Sequence, residues 1–343
     1  MLVTNKLICP TSEEEIQSHW KYFDKIYISC VCIVFNHELY IRDTIDSILA
    51  QKSEHKFEVI IHDDCSTDST KSILLEYKNK FPNIIKLILQ KENQHSKGYQ
   101  IMPFISPFVE GDFVAVCEGD DYWIRDDKIK RQFDLLNNDN KVNICFSACK
   151  SISSDNVERT ISYHGDNELL FSTEQVMEGG GEFMPTASLM LRSKIIKNLP
   201  EWFSHAPVGD YFIQIISSVS KGALYLPEVT CVYRTNAIGS WSSYRKHLTS
   251  DEINAEAIRY ESSLSHLKEY DIPEKMVNHV IAKQYIALAI LAIKNGFFLI
   301  SKELIIKSWL FSPCMNRKQF ILYYTRALHP LIKFAYLIKI KLP

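Results

Sequence analysis

The chain has 343 residues, 46% of them hydrophobic and 23% charged, with a formal net charge of −2. This composition excludes intrinsic disorder, gives no basic excess for nucleic acid, and provides enough core for a large domain without disulfide staples. The nine cysteines follow no repeating spacing; Cys30 and Cys32 sit in an apolar run, and Cys145 and Cys149 lack a second close pair, so buried, reduced thiols are expected in place of a zinc site.

In chain order, residues 1–25 form an extension with no basic-then-apolar leader pattern. Residues 26–35 (IYISCVCIVF) are β-branched and apolar throughout, the pattern of a strand covered on both faces. A helix is predicted over 38–51, with Leu39, Ile41, Ile45, Ile48 and Leu49 on its buried face. Phe57–Ile61 reads as a strand, and Asp68 or Ser69 caps a helix running to about Tyr77. Strands are predicted at Ile84–Leu89 and Phe113–Cys117, with an interrupted helix over 99–109 between them. After residue 160 the pattern is mixed, with an apolar segment at Ala187–Leu191, a helix over 210–220 and strands near 223–226 and 229–234. Helices follow at 253–267, 274–294 and 298–310.

Strands and helices alternate through the first 150 residues, which calls for a parallel α/β sheet with right-handed crossovers. Ligands of such sheets bind beyond the carboxyl ends of the strands. Two acidic turns, Asp63-Asp64 and Glu118–Asp121, follow strand ends and are therefore expected on one rim.

In EGDDYW (118–123), Glu118, Asp120 and Asp121 crowd three carboxylates into four residues, an arrangement that a hard divalent cation, Mg²⁺ or Mn²⁺, relieves. Against this stands an ordinary capped acidic turn. Asp63, Asp64, Ser66 and Asp68 form either a helix-capping turn or a site for a base or ribose. Asp210 opens a helix as a cap or as a general base. No G-x-G-x-x-G, P-loop, G-x-S-x-G or H-E-x-x-H motif is present. No run of about 18 apolar residues crosses a bilayer. The end of the chain has no acid after Glu303, while Lys307, Arg317, Lys318, Arg326, Lys333, Lys339 and Lys341 lie among aromatic residues. It reads either as a peripheral membrane contact or as a packed helix with a solvated basic side.

Taken together, CIVFNHELYI (32–41), EVIIHDDCSTDST (58–70), ENQHSKG (92–98), EGDDYWIRDDKIKRQ (118–132), PTASLMLR (185–192), VGDYFI (208–213) and LPEVTCVYR (226–234) resemble family 2 glycosyltransferases of the GT-A fold over residues 26–245. The resemblance is to bacterial members that build surface polysaccharides such as O-antigen or capsule. It implies a Rossmann-like, mostly parallel central sheet flanked by helices, with a nucleotide-sugar half (26–125), an acceptor half (126–245) and a C-terminal helical extension (246–343). It also implies an inverting enzyme that moves one hexose or N-acetylhexosamine from a UDP-sugar to a lipid-linked or oligosaccharide acceptor, with Mn²⁺ or Mg²⁺ as cofactor. The expected location is the cytoplasm, or the cytoplasmic face of the inner membrane.

Carried over by position, the resemblance has the backbone of Ile33, Val34, Phe35 and Asn36 lining the nucleotide pocket and Asp64 meeting uracil. Lys97, Glu118 and Asp120 would face the donor, Asp121 the metal, and Asp210 would act as base. Trp123 would shape the donor side, and Pro185, Thr186, Ala187 and Ser188 the acceptor side. Many relatives carry a His after the position of Arg234, where Asn236 stands here; phosphate contact would fall to Arg234, Arg245, Lys246 or His247, with Trp241 as a closing lid. The Q-x-x-R-W signature of processive synthases is absent. The alternatives are a sugar nucleotidyltransferase, which needs a basic, glycine-rich first turn, and a catalytically silent subunit docked to a membrane.

Overall fold

The computed structural model describes residues 6–153, 155, 157–235, 237, 245 and 247–328. Asn236, Trp241, Lys246 and the chain beyond 328 lie outside this set. Two compact units are present: Met1–Ser204 with Val208–Ser240, and His205–Pro207 with Trp241–Pro343.

Among the described residues, the first unit is built on a ten-stranded mixed sheet. Strand β1 (Ile28–Val34) is central and almost fully buried, as its unbroken apolar sequence requires. It pairs in parallel with β2 (Phe57–Asp63) on one side and β4 (Phe113–Glu118) on the other, and β3 (Ile85–Leu89) extends the parallel block beyond β2. The strand order is β3-β2-β1-β4-β9-β6-β10-β5, with β9 at Met190–Arg192, β6 at Ile144–Ser153, β10 at Ala223–Thr235 and β5 at Tyr122–Trp123. Strands β7 (Glu158–Ile161) and β8 (Leu169–Phe171) pair with β6 and β10.

Parallel pairing thus covers two blocks, β3-β2-β1-β4 and β6-β10, which the short β9 joins by pairing antiparallel to both β4 and β6. The two strands expected near 223–226 and 229–234 are one long strand, whose register shifts between Leu226 and Cys231, around Pro227. Proline has no N–H for the ladder, so a bulge is the available solution.

Helix α1 (Glu13–Gln17) ties the N-terminal segment down: Glu13 accepts from the amides of Asn83 and Ile84, and Ile16 is buried. Helix α2 begins at Ile41 and ends at Leu49, so Leu39 precedes it and is exposed. The expected buried face therefore starts two residues later. Helix α3 (Thr70–Lys80) is capped by Asp68, whose Oδ1 accepts from Thr70 N–H at 3.0 Å. Further along the unit run α4 (Met102–Ile105), α5 (Lys128–Asn138), α6 (Thr173–Gly179), α7 (Ser193–Lys197) and α8 (Gly209–Ser218).

The second unit is helical: α9 (Ser250–Ser265), α10 (Glu274–Asn295), α11 (Phe298–Phe311) and α12 (Arg317–Tyr324). Thr249 and Glu252 form a reciprocal capping box at the start of α9. Helix α10 is long and apolar enough to cross a membrane by length and composition, yet 56% of that window is buried within the protein. Its apolarity is that of a core helix.

Candidate active site

The chain runs β1, β2, β3 in one direction across the sheet and then returns to the far side of β1 as β4. The carboxyl ends of β1 and β4 are therefore a topological switch point, where open α/β sheets bind ligands. Val34 pairs with Asp63 and Ile33 with Glu118, so β1 alone separates the two acidic turns. Two strand spacings place them about 10 Å apart.

The rim is laced together by backbone and side-chain bonds. Ile33 C=O accepts from Gly119 N–H and Val34 C=O from Asp64 N–H, each at 2.9 Å. Asn36 N–H donates to Ser66 Oγ, and Asn36 Oδ1 accepts from Thr67 N–H. Asn36 and Cys65 both adopt left-handed backbone, with φ of 56° and 67°. Such strain persists where surrounding bonds over-determine it, and it collects at functional sites. Asp63 accepts from Ser66 N–H. Both oxygens of Asp64 accept amides from the following loop, Gln94 N–H at 2.8 Å and His95 N–H at 2.9 Å. Asp64 thus pins the 90–98 loop to the strand end, and each oxygen keeps a further lone pair.

The acidic turn after β4 converges as expected: ligand atoms of Glu118, Asp120 and Asp121 all lie within 4.8 Å of one another. Gly119 permits this packing, because a Cβ there would sit 2.6 Å from His37 Nδ1 and 3.0 Å from Val34. Thr44 of α2 donates to the carbonyls of Gly119 and Asp121. From β10, Arg234 N–H donates to Asp121 Oδ1 at 2.9 Å, and the Arg234 guanidinium donates to Asp120 C=O at 2.6 Å and pairs with Asp43. Its carbon lies over the rings of Tyr122 (4.5 Å) and Tyr40 (5.1 Å). Asp121 Oδ2 is buried with no partner.

Electrostatics mark the same cluster. Burial, with the negative charges of Asp120 and Asp210 adding to it, pushes the Glu118 carboxyl up to about 8. Burial and the charges of Asp120 and Glu118 raise Asp121 well above the carboxylate range, against the Arg234 N–H. A hard cation with oxygen ligands relieves this repulsion and completes the orphaned Oδ2. The donor set fits Mg²⁺ or Mn²⁺, with Asp121, Asp120 and Glu118 as the residues that would hold it.

Asp210 stands at the first turn of α8, near enough for its charge to raise Glu118. Its Oδ1 accepts from Tyr211 N–H at 2.7 Å and its Oδ2 from the Thr186 hydroxyl at 3.2 Å. Burial raises the Asp210 carboxyl above its ordinary value, opposed by these two bonds.

The other expected site residues are placed as follows. Trp123 is fully buried; its Nε1–H donates to Ala187 C=O at 2.8 Å, and Lys128 Nζ lies 4.3 Å from its ring centroid. Ala187 and Ser188 are also fully buried, with Ser188 C=O accepting from Gln132. Pro185 is buried too, leaving Thr186 as the member of that quartet that reaches Asp210. Lys97 is exposed and paired with Glu92 in its own loop. Asp43, Thr44, His37, Tyr40 and Tyr122 escaped the sequence reading, because nothing near them in the chain announces a partner on β4 or β10.

Residues 29–199 match the signature of Glycosyl transferase family 2. The chain carries a family 2 glycosyltransferase domain. It is 30% identical over 223 residues to an uncharacterised protein of Mycobacterium tuberculosis, a match spanning 63% of this chain and 61% of that one. The match to the poly(ribitol-phosphate) beta-glucosyltransferase of Bacillus spizizenii is 28% identical over 170 residues, 49% of this chain and 26% of the relative. The fold resembles residues 1–349 of Staphylococcus aureus TarS in complex with UDP-GlcNAc, with a TM-score of 0.64 at 16% identity, covering 90% of this chain and 89% of that structure. The GT-A fold expected of a family 2 domain is the fold observed, with antiparallel strands joining its two parallel blocks.

Proposed function

We propose that the protein transfers a single hexose or N-acetylhexosamine from a UDP-sugar to an oligosaccharide or lipid-linked acceptor in the synthesis of a cell-surface polymer, with inversion at the anomeric carbon. The observation that carries this reading is the unpartnered, buried Asp121 Oδ2 within a three-carboxylate cluster that also feels Asp210. A UDP-GlcNAc complex of a similar fold supports the donor class, and a poly(ribitol-phosphate) beta-glucosyltransferase among the relatives supports the synthesis of a cell-surface polymer.

The chain's own groups divide the work. Glu118, Asp120 and Asp121 would hold a divalent cation, which when bound offsets the negative charge of the departing nucleotide diphosphate. Arg234 and Thr44 keep the acidic turn in its one arrangement, so the ligand oxygens are preorganised. The loop pinned by Asp64 closes the base end of the donor pocket, and Asp64 reads the base through its remaining lone pairs. Asp210, oriented by Thr186, accepts the proton of the attacking acceptor hydroxyl. In-line attack by one oxygen inverts the centre, so an α-linked donor yields a β-linkage. The working location is the cytoplasm, peripheral to the inner membrane.

The test is a panel of nucleotide-sugars titrated with and without Mn²⁺, read by thermal shift and by UDP release with acceptor. The reading expects a UDP-sugar to stabilise the protein only with metal. Pyrophosphate release from UTP and a sugar 1-phosphate would sink it in favour of a nucleotidyltransferase.

A further inference from the structure

Helices α11 and α12 of the second unit leave an apolar face uncovered among the described residues. On α11, Ile306 and Leu310 are four residues apart and so share one side, with the exposed Glu303 one turn before them. Leu310 is 75% exposed. On α12, Phe320, Ile321 and Tyr324 are likewise spaced by three and four, and Tyr324 is 63% exposed. The two helices are joined at this face by aromatic packing: the Trp309 ring stacks on Tyr323 at 4.1 Å and meets Tyr324 edge-on at 5.9 Å. Exposed, adjoining apolar and aromatic side chains of this size are uncommon on a surface that meets only water.

Charge names the partner. Arg317 and Lys318 are exposed at the start of α12, beside this face. After Glu303 the chain carries seven Lys and Arg residues and no acid. A protein partner selected by this basic rim would need a matching acidic border around an apolar centre. An anionic bilayer supplies both at once, with phosphate headgroups for the cations and an acyl boundary for the leucine and aromatic side chains, and amphipathic ring systems favour that interface.

We propose that the α11–α12 face is a docking surface for anionic phospholipid, with Ile306, Leu310, Phe320, Ile321 and Tyr324 entering the headgroup–acyl boundary and Arg317 and Lys318 engaging phosphates. This surface sits on two helices among the described residues. It is also independent of the sugar-transfer reading, since its readout is lipid binding and not turnover.

The experiment mixes the full chain with vesicles of phosphatidylcholine alone or with phosphatidylglycerol, and measures co-sedimentation at low and high salt. Two variants are compared, Leu310→Glu with Ile321→Glu, and Arg317→Glu with Lys318→Glu, alongside thermal melts and UDP binding. The expected result is binding only to phosphatidylglycerol vesicles, weakened by salt. Each removed cation should cost roughly fivefold in affinity and each variant at least tenfold, with melting temperature and UDP binding unchanged. Equal binding to phosphatidylcholine alone, or wild-type affinity in both variants, overturns the proposal. So does a concentration-dependent dimer that the variants abolish without any vesicle binding, which would assign the face to a second copy of the chain.

Discussion

Arg234 grips Asp121 from a strand on the other side of the sheet: its backbone N–H takes Oδ1 at 2.9 Å and leaves Oδ2 buried and unpartnered. One oxygen is therefore fixed and the other is presented. Replacing Asp121 by Ala should make UDP affinity the same with and without Mn²⁺, measured by calorimetry. The metal-free variant should melt no lower than the parent, because a like-charged member of a buried cluster has been removed. A Mn²⁺-dependent gain in UDP affinity surviving in Asp121→Ala would refute the ligand assignment.

Asp210→Asn is expected to bind UDP-sugar as the parent does and to lose transfer by at least about 100-fold, the scale of general-base catalysis. The amide keeps an acceptor for Thr186 while losing basicity. Melting temperature should hold or rise, since burial already disfavours the charged form. Ordinary turnover in a single-turnover assay would remove Asp210 from the base role.

The pH dependence follows from the same shift. A base works when ionised, and burial raises the Asp210 carboxyl above its usual value. Activity should therefore fall, as pH is lowered, at a value above the ordinary aspartate pKa of about 4. The stability term has the opposite sense: the folded state favours the protonated carboxyl, so stability is lost as pH rises from the unfolded value through the folded one. A kcat/KM profile at saturating Mn²⁺ that stays flat down to about pH 4 contradicts this.

Gly119→Ala should lower both stability and metal-dependent donor binding, because the new methyl would lie 2.6 Å from His37 Nδ1. The double variant Gly119→Ala with His37→Ala should recover part of the metal response. Non-additivity in that cycle is the measurement, and simple addition of the two losses would mean the clash lies elsewhere.

Trp123→Phe removes the bond from Nε1–H to the buried Ala187 carbonyl and should cost about 1–3 kcal/mol. At about 2–4 °C per kcal/mol this is a readable fall in melting temperature. Because the effect reaches the site through Thr186, the KM for acceptor should rise while donor affinity is kept. A selective loss of donor affinity would return Trp123 to the donor pocket.

Much of this protein was legible in its sequence because the signals are local. The unbroken apolar run at 26–35 needs burial on both faces and becomes the central strand β1. Three carboxylates within four residues at the end of β4 are visible in the sequence as a cluster, while Gly119, Thr44 and Arg234 hold them in the arrangement observed. The helix periods at 253–267, 274–294 and 298–310 and the aspartate opening α8 belong to the same class of information.

What only the tertiary structure decided are the pairings between distant residues and the direction each side chain faces. Arg234 meets Asp121 across 113 residues and Asp43 across 191, and no period or motif encodes either meeting. Trp123 lies beside the acidic turn in sequence, yet β5 pairs with β10 and turns its ring into the core, where it supports the Thr186 loop. The physical reason is that local patterns fix backbone conformation and one buried face. Which groups satisfy one another inside that face is settled by sheet order, and sheet order is a property of the whole chain.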